Sequence, residues 1–266
     1  MKTFINLNNL NIDSVNLPDG VGKKKCIIVE ISGKDSLAAI VKYSKDKKPK
    51  YIIPTYSFTG TEYGDFKTIE DNVSFITQTC RAKYNINVGE LVVLGNPKLW
   101  WLINGRYISL LFEKYKFYTP CIGCHLYFHL VRLPLANKLG VKKIISGERK
   151  RHDKKVKLNQ MEEVLEAFQK IFSKLGFELI MPLKNISNNL EISKLVQLET
   201  DWKNRQLHCT LSSNYLSLDG KVIHDREKLK DFLNSYIFPA GISIGKNLIA
   251  GETFTEDMMI KLIEKL

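Results

Sequence analysis

Five short apolar runs rich in β-branched residues recur along the first two-thirds of the chain: CIIVEI (26–31), YIIPTYSF (51–58), ELVVLG (90–95), VKKIISG (141–147) and ELIMPL (178–183). Runs of this length without polar alternation suit strands buried on both faces of a parallel sheet. Stretches with helical character separate them. LAAIVKYSK follows the first run, 67–84 reads as a helix, 98–116 as a helix or helix pair, and 121–139 as a helix that Pro134 interrupts. An amphipathic stretch, 160–176, ends at Gly176. Strands alternating with helices predict an α/β protein: an open parallel five-stranded sheet with helices on both faces. From Asn185 onward the rhythm breaks. Three parts are therefore expected: a small basic N-terminal element (1–25), an α/β domain (26–184), and a helical or irregular C-terminal region (185–266).

With 44% hydrophobic and 26% charged residues, the chain can bury a sizeable core. Lys+Arg number 40 against 28 Asp+Glu, a net charge of +12. The excess raises the expectation of a polyanionic partner, RNA or DNA, although a lysine-rich proteome gives basic surfaces without one. No run approaches the roughly 18 apolar residues of a membrane helix. The opening MKTFINLNNLNIDS is polar, so a cytoplasmic protein without a membrane partner is expected. In a reducing compartment five cysteines are core residues, catalytic thiols or metal ligands rather than a disulfide framework.

The first strand runs into Ser32-Gly33-Lys34-Asp35-Ser36, and a helix follows. At the carboxyl edge of a parallel sheet that loop is where ligands bind. Its small residues let backbone N–H groups approach phosphates, and the helix turns its positive end toward them. Ser32 and Ser36 carry hydroxyl donors, and Asp35 can bind magnesium or brace the loop. The plainer alternative is a Ser/Gly/Asp turn that caps a helix. The Gly-x-x-x-x-Gly-Lys spacing of a Walker loop is absent.

Cys121-Ile122-Gly123-Cys124 is a C-x-x-C pair, whose sulfurs can reach one metal ion or cluster. No second pair exists, and Cys209 is the natural third ligand. Zinc on these thiols plus His125 or His208, or three unconnected thiols, are the alternatives. Cys26 and Cys80 read as core residues.

Ile31-Ser32-Gly33-Lys34-Asp35-Ser36 resembles the Ser-Gly-Gly-x-Asp-Ser signature of the PP-loop ATP pyrophosphatase superfamily (adenine nucleotide alpha hydrolase-like). Ile31 stands at the family's first Ser and Ser32 at its first Gly. The order loop, C-x-x-C, distant Cys is similar to the iron–sulfur tRNA thiolases that make 2-thiouridine or 2-thiocytidine. The resemblance implies ATP and magnesium over Ser32, Gly33, Lys34, Asp35, Ser36 and Gly147. It implies a [4Fe-4S] cluster on Cys121, Cys124 and Cys209, with an open iron for a transferable sulfide. Such enzymes adenylate a base carbonyl of tRNA, release pyrophosphate, and let sulfur displace AMP. The implied partners are tRNA, a sulfur donor (sulfide or a sulfur-carrier protein) and a possible homodimer mate.

The fourth-strand loop, Ser146 to Asp153, matches the thiolase pattern Gly-His-Asn-x-Asp-Asp only at Gly147 and Asp153. Glu148-Arg149 stand where His-Asn is usual. Asp35 and Asp153 are therefore expected as the catalytic or magnesium-binding carboxylates, with Glu148 competing for the second place. Arg149 and Arg151 can neutralise phosphates, and His125 and His129 share a helical face. Two rivals stand beside a tRNA sulfurtransferase: an ATP-dependent amide- or nitrogen-transferring ligase with structural zinc, and a non-catalytic nucleotide- or RNA-binding protein.

Overall fold

A computed structural model describes residues 3–6, 14–153, 155–196 and 206–265. Strands are β1 (Thr3–Asn6), β2 (Cys26–Glu30), β3 (Tyr51–Phe58), β4 (Glu62–Tyr63), β5 (Asn87–Val88), β6 (Val92–Gly95), β7 (Lys143–Ile145), β8 (Glu178–Ile180) and β9 (His208–Cys209). The main sheet runs β1-β6-β3-β2-β7-β8, with β5 also on β3, and every pairing is parallel. All five expected strands lie in it, in an order that places the first at the centre. The N-terminal element is not separate from the sheet, because β1 extends it beyond β6.

Alternation within β2 explains the two-sided burial. Cys26 and Ile28 face one core, Ile27 and Val29 the other, and all four are buried. The second face is covered by α1 (Lys34–Lys47), α2 (Lys67–Tyr84) and, later in the chain, Asn189–Val196. The first face is covered by α3 (Pro97–Asn104), α4 (Ile108–Tyr115), α5 (Pro120–Leu130), α6 (Leu133–Leu139) and α7 (Glu162–Lys174), with C-terminal helices behind them. Pro54 sits in β3 because it falls between the β5 pairing at Tyr51–Ile52 and the β6 pairing from Thr55. A missing N–H costs no ladder bond there.

The expected helix over 121–139 is two helices. The break falls at Val131–Arg132, which places Pro134 in the first turn of α6, where its missing N–H is harmless. The region after Asn185 is integral to the fold. Its helix α8 (Asn189–Val196) packs on α1. After α9 (Arg226–Asp231) and a π-helical turn, α10 (Phe238–Ala250) packs on α6 and α7, and α11 (Glu256–Glu264) follows. Cys26 and Cys80 are core residues, with 1% and 0% exposure. No described helix is long and apolar enough to cross a membrane.

Candidate active site

A cleft of about 620 Å³ opens at the carboxyl edge of β2, β3 and β7. Residues 31–36 form one wall, Ser146–Glu148 another, and the segment Gln206–Cys209 crosses its mouth. That segment is held by a two-stranded ribbon in which Glu62 opposes Cys209 and Tyr63 opposes His208, whose rings stack. A connection more than a hundred residues long thus delivers Cys209 to the nucleotide-loop side of the sheet.

The loop is braced by its own side chains. Ser36 Oγ accepts from Ser32 N at 2.9 Å and donates to Gly33 O at 2.7 Å. Asn72 of α2 donates to Ser32 O at 2.8 Å, and Lys34 Nζ donates to Ser193 Oγ on α8 at 2.5 Å. The amides of the first turn of α1 have no partner within the helix and suit an anion. Gly147 is needed for close approach: a Cβ there would lie 2.5 Å from Ser36 N and 2.7 Å from Asp35 C. Asp35 Oδ2 accepts from Arg149 Nε at 3.1 Å and lies 3.4 Å from His152 Nδ1, which leaves Oδ1 outside these contacts. Arg149 is buried and also donates to Ser187 O and Asn189 Oδ1. It therefore fixes the Asp35 carboxylate. Burial and the cations Lys157 and Arg149 lower the His152 pKa to about 4.

The fourth-strand loop brings Glu148, not Asp153, into the cleft. Asp153 is exposed, and its carboxylate caps Asn189, accepting from its backbone N at 2.8 Å and from its side-chain Nδ2. Its left-handed backbone (φ 54°) makes the tight turn that closes the His152–Lys155 bridge. Glu148 is 4% exposed; Oε1 receives His125 Nδ1 at 2.6 Å and Oε2 receives Gln160 Nε2. Burial alone would raise this carboxyl, but His125, His129 and Gln160 outweigh it and hold the pKa near 2. Asn159 Nδ2 faces His125 Nε2 at 2.8 Å, so the ring accepts there and donates from Nδ1. His129, one turn on, is fully buried with neither ring nitrogen hydrogen-bonded, and burial lowers its pKa to about 3.

Cys121, Cys124 and Cys209 are all free thiols. The peptide of Leu211 joins two of them, its N–H donating to Cys209 Sγ at 3.4 Å and its carbonyl accepting from Cys121 Sγ at 3.8 Å. Each sulfur has its own N–H donor: Asn214 Nδ2 to Cys121 at 3.5 Å, Trp100 Nε1 to Cys124 at 3.2 Å, and Leu211 N to Cys209. Burial raises the Cys121 and Cys124 thiols, and each is raised further by the Cys209 sulfur. Cys121 sits in the first turn of α5, capped by Thr119, whose hydroxyl also anchors Asn214. Gly123 lets α5 meet α3, since a Cβ there would lie 2.2 Å from Asn104 Oδ1.

Among the described residues, no group of three or more His, Cys, Asp or Glu side chains is placed to hold a metal ion, the three cysteines included. The sulfur donors Trp100, Leu211 and Asn214 carry no signal in the sequence, because tertiary packing alone aims them. Of the aromatics near the basic segments, Tyr115, Phe117 and Tyr127 are core, while Tyr118 and Phe128 are half-buried. Met181, Leu183 and Ile192 are buried packing residues. Asp201 to Arg205, which could bring a cation and an indole to the site, lie outside the described residues.

Fold and site together define an open parallel α/β protein with an anion-suited cleft at its carboxyl edge; of the three thiols, Cys209 lines that cleft and Cys121 and Cys124 do not. The chain belongs to the family of the uncharacterized protein MJ0009 of Methanocaldococcus jannaschii, with which it is 36% identical over 249 residues, covering 92% of this chain and 88% of that one. No protein-family model matches it. Among solved structures, an NH3-dependent NAD synthetase from Campylobacter jejuni, in complex with the nitrate ion, is similar over 88% of this chain and 90% of that chain, with 15% identity and a TM-score of 0.33.

Proposed function

We propose that this chain is an ATP-dependent sulfurtransferase of the PP-loop superfamily that adenylates a base carbonyl in tRNA and exchanges its oxygen for sulfur. One observation carries the reading: Cys209, which lines the cleft formed by residues 31–36, shares the Leu211 backbone with Cys121 of the C-x-x-C pair, and each of the three sulfurs has an N–H donor. Hydrogen bonds to sulfur tune and retain metal-bound thiolates. Cys121, Cys124 and Cys209 would hold the [4Fe-4S] cluster. When bound, it supplies a soft Lewis-acid site suited to hydrosulfide.

The residues of the chain divide the remaining work. The first-turn amides of α1, with Ser32, Gly33 and Ser36, bind phosphates, and Lys34 adds positive charge. Asp35, with Oδ1 outside its contacts to Arg149 and His152, would hold the magnesium that neutralises them. Gly147 keeps the opposite wall close. The carbonyl oxygen of the base attacks the α-phosphorus and pyrophosphate leaves. Sulfur then attacks the activated carbon, and AMP departs with the oxygen. Holding the phosphates and positioning the carbonyl supply most of the acceleration. Glu148 and His125 fix the floor beside the carbonyl, and Asp153 shapes the loop from outside the cleft. In this scheme residues 26–184 bind nucleotide and 185–266 supply the third cysteine. The base, the sulfur donor (sulfide or a carrier protein) and a homodimer mate complete the reaction in the cytoplasm.

The test is protein purified without oxygen. Brown protein with about four iron atoms per chain that releases pyrophosphate only with tRNA, and AMP only when sulfide is also present, is the expected result. Cys209→Ala should lose the iron and keep ATP binding, and Asp35→Ala should do the reverse. Stoichiometric zinc, or iron unchanged in Cys209→Ala, would overturn the reading.

A further inference from the structure

The chain places Lys150, Arg151, Lys155 and Lys157 in one short stretch after the fourth strand. The fold turns that stretch into a strap between two spaces. Glu148, His152 and Lys157 line the nucleotide cleft, while Lys150, Arg151 and Val156 line a second cavity of about 430 Å³, closed by Met161, Lys184 and Ser187. The strap is anchored to the 184–187 segment through Lys150 N to Lys184 O at 3.0 Å and Asp153 N to Ser187 O at 2.8 Å. Adjacent residues of one segment thus serve both spaces.

The charges of this cavity are unequally satisfied. Lys150 Nζ is neutralised by Glu162 at 3.0 Å. Lys184 Nζ donates to the neutral Gln169 at 3.1 Å, with Glu166 no nearer than 3.9 Å. Arg151 is exposed and forms no ion pair with a described residue. A guanidinium and an ammonium lining one cavity, whose carboxylate Glu162 is taken up by Lys150, suit a phosphate, and the apolar surface of Val156 and Met161 suits the flat face of a base. The volume lies in the range of small-ligand sites.

We propose that this second cavity holds one backbone phosphate and its base from the RNA segment adjoining the nucleotide that reacts in the cleft, with Arg151 and Lys184 as the phosphate ligands. The assignment rests on the tRNA reading and extends it, because the strap makes the two spaces neighbours along a single strand. Phosphate contacts of this kind position the substrate without reading its sequence.

The test is fluorescence anisotropy with total deacylated tRNA, labelled with fluorescein, titrated by the full chain across a salt series, with inorganic pyrophosphate titrated in parallel. Arg151→Gln and Lys184→Gln should each weaken tRNA binding by about tenfold near physiological salt and lower the salt slope by about one. Arg151→Lys should recover most of the affinity. Arg151, expected from the sequence to neutralise the nucleotide phosphates, lines the second cavity and not the cleft, as does Lys184, so thermal midpoints and ATP affinity should stay at wild-type values, separating lost binding from lost folding. Wild-type binding whose strength and salt slope both variants leave unchanged overturns the cavity assignment alone. Variants that weaken pyrophosphate but not tRNA make the cavity a site for the free product and overturn it as well. A wild-type chain that binds no tRNA removes the substrate reading and this inference with it.

Discussion

Gly147→Ala tests whether the two walls of the cleft act as one unit. The added methyl would lie 2.5 Å from Ser36 N, 2.6 Å from Ser36 Cα and 2.7 Å from Asp35 C. These are backbone atoms in the first turn of a helix whose loop is already tied by Ser36, Asn72 and Lys34, so no side chain can swing aside. Relaxing such contacts to ordinary carbon separations of about 3.5 Å requires the loop and the β7 end to part by roughly 1 Å. Overpacking of this kind costs about 1–3 kcal/mol of stability. A misplacement of about 1 Å at reacting groups can cost about a hundredfold in rate. The assay is ATP–pyrophosphate exchange with tRNA present and sulfide absent, alongside a denaturant midpoint. The expected result is a folded protein with exchange reduced about a hundredfold, weaker ATP binding, and iron content unchanged, because Cys121, Cys124 and Cys209 are held by α5 and the β4–β9 ribbon. Wild-type exchange in Gly147→Ala would refute the claim that this glycine sets the phosphate wall.

Three further outcomes follow from the geometry. Trp100→Phe removes the N–H on Cys124 while keeping an apolar ring, and iron should be lost to a chelator about 10–100 times more readily, followed by the decay of the visible absorption. His129 has its folded-state pKa lowered from 6.5 to about 3 by burial, so the unfolded chain binds the extra proton between those values. Stability should therefore fall as pH drops below 6.5, by up to about 1.4 kcal/mol per pH unit from this group. His129→Phe should flatten that slope in thermal melts taken from pH 7 to 4, and an unchanged slope would show that the ring is not buried neutral. Asp153→Ala removes the cap on Asn189 and should cost about 1 kcal/mol, read by chemical denaturation, while ATP–pyrophosphate exchange keeps most of its rate. Loss of exchange equal to that of Asp35→Ala would return Asp153 to the catalytic carboxylates.

The strand runs and the Ser32–Ser36 turn are legible as local patterns, because burial on two faces and helix starts are written in neighbouring residues. The five parallel strands follow from that reading alone. Two local readings were incomplete for a local reason: the break before α6 and the strand Thr3–Asn6 depend on what lies beside them rather than on their own composition.

Tertiary structure decided the rest. Only the folded chain brings Cys209 to Cys121 through the Leu211 peptide, aims Trp100 and Asn214 at sulfur, and exchanges Asp153 for Glu148 at the cleft. A hydrogen bond or a shared cavity joins groups by distance in space. Residues that are a hundred positions apart carry no periodicity that could announce it, so the chemistry of the site became visible only once the sheet had set its carboxyl edge.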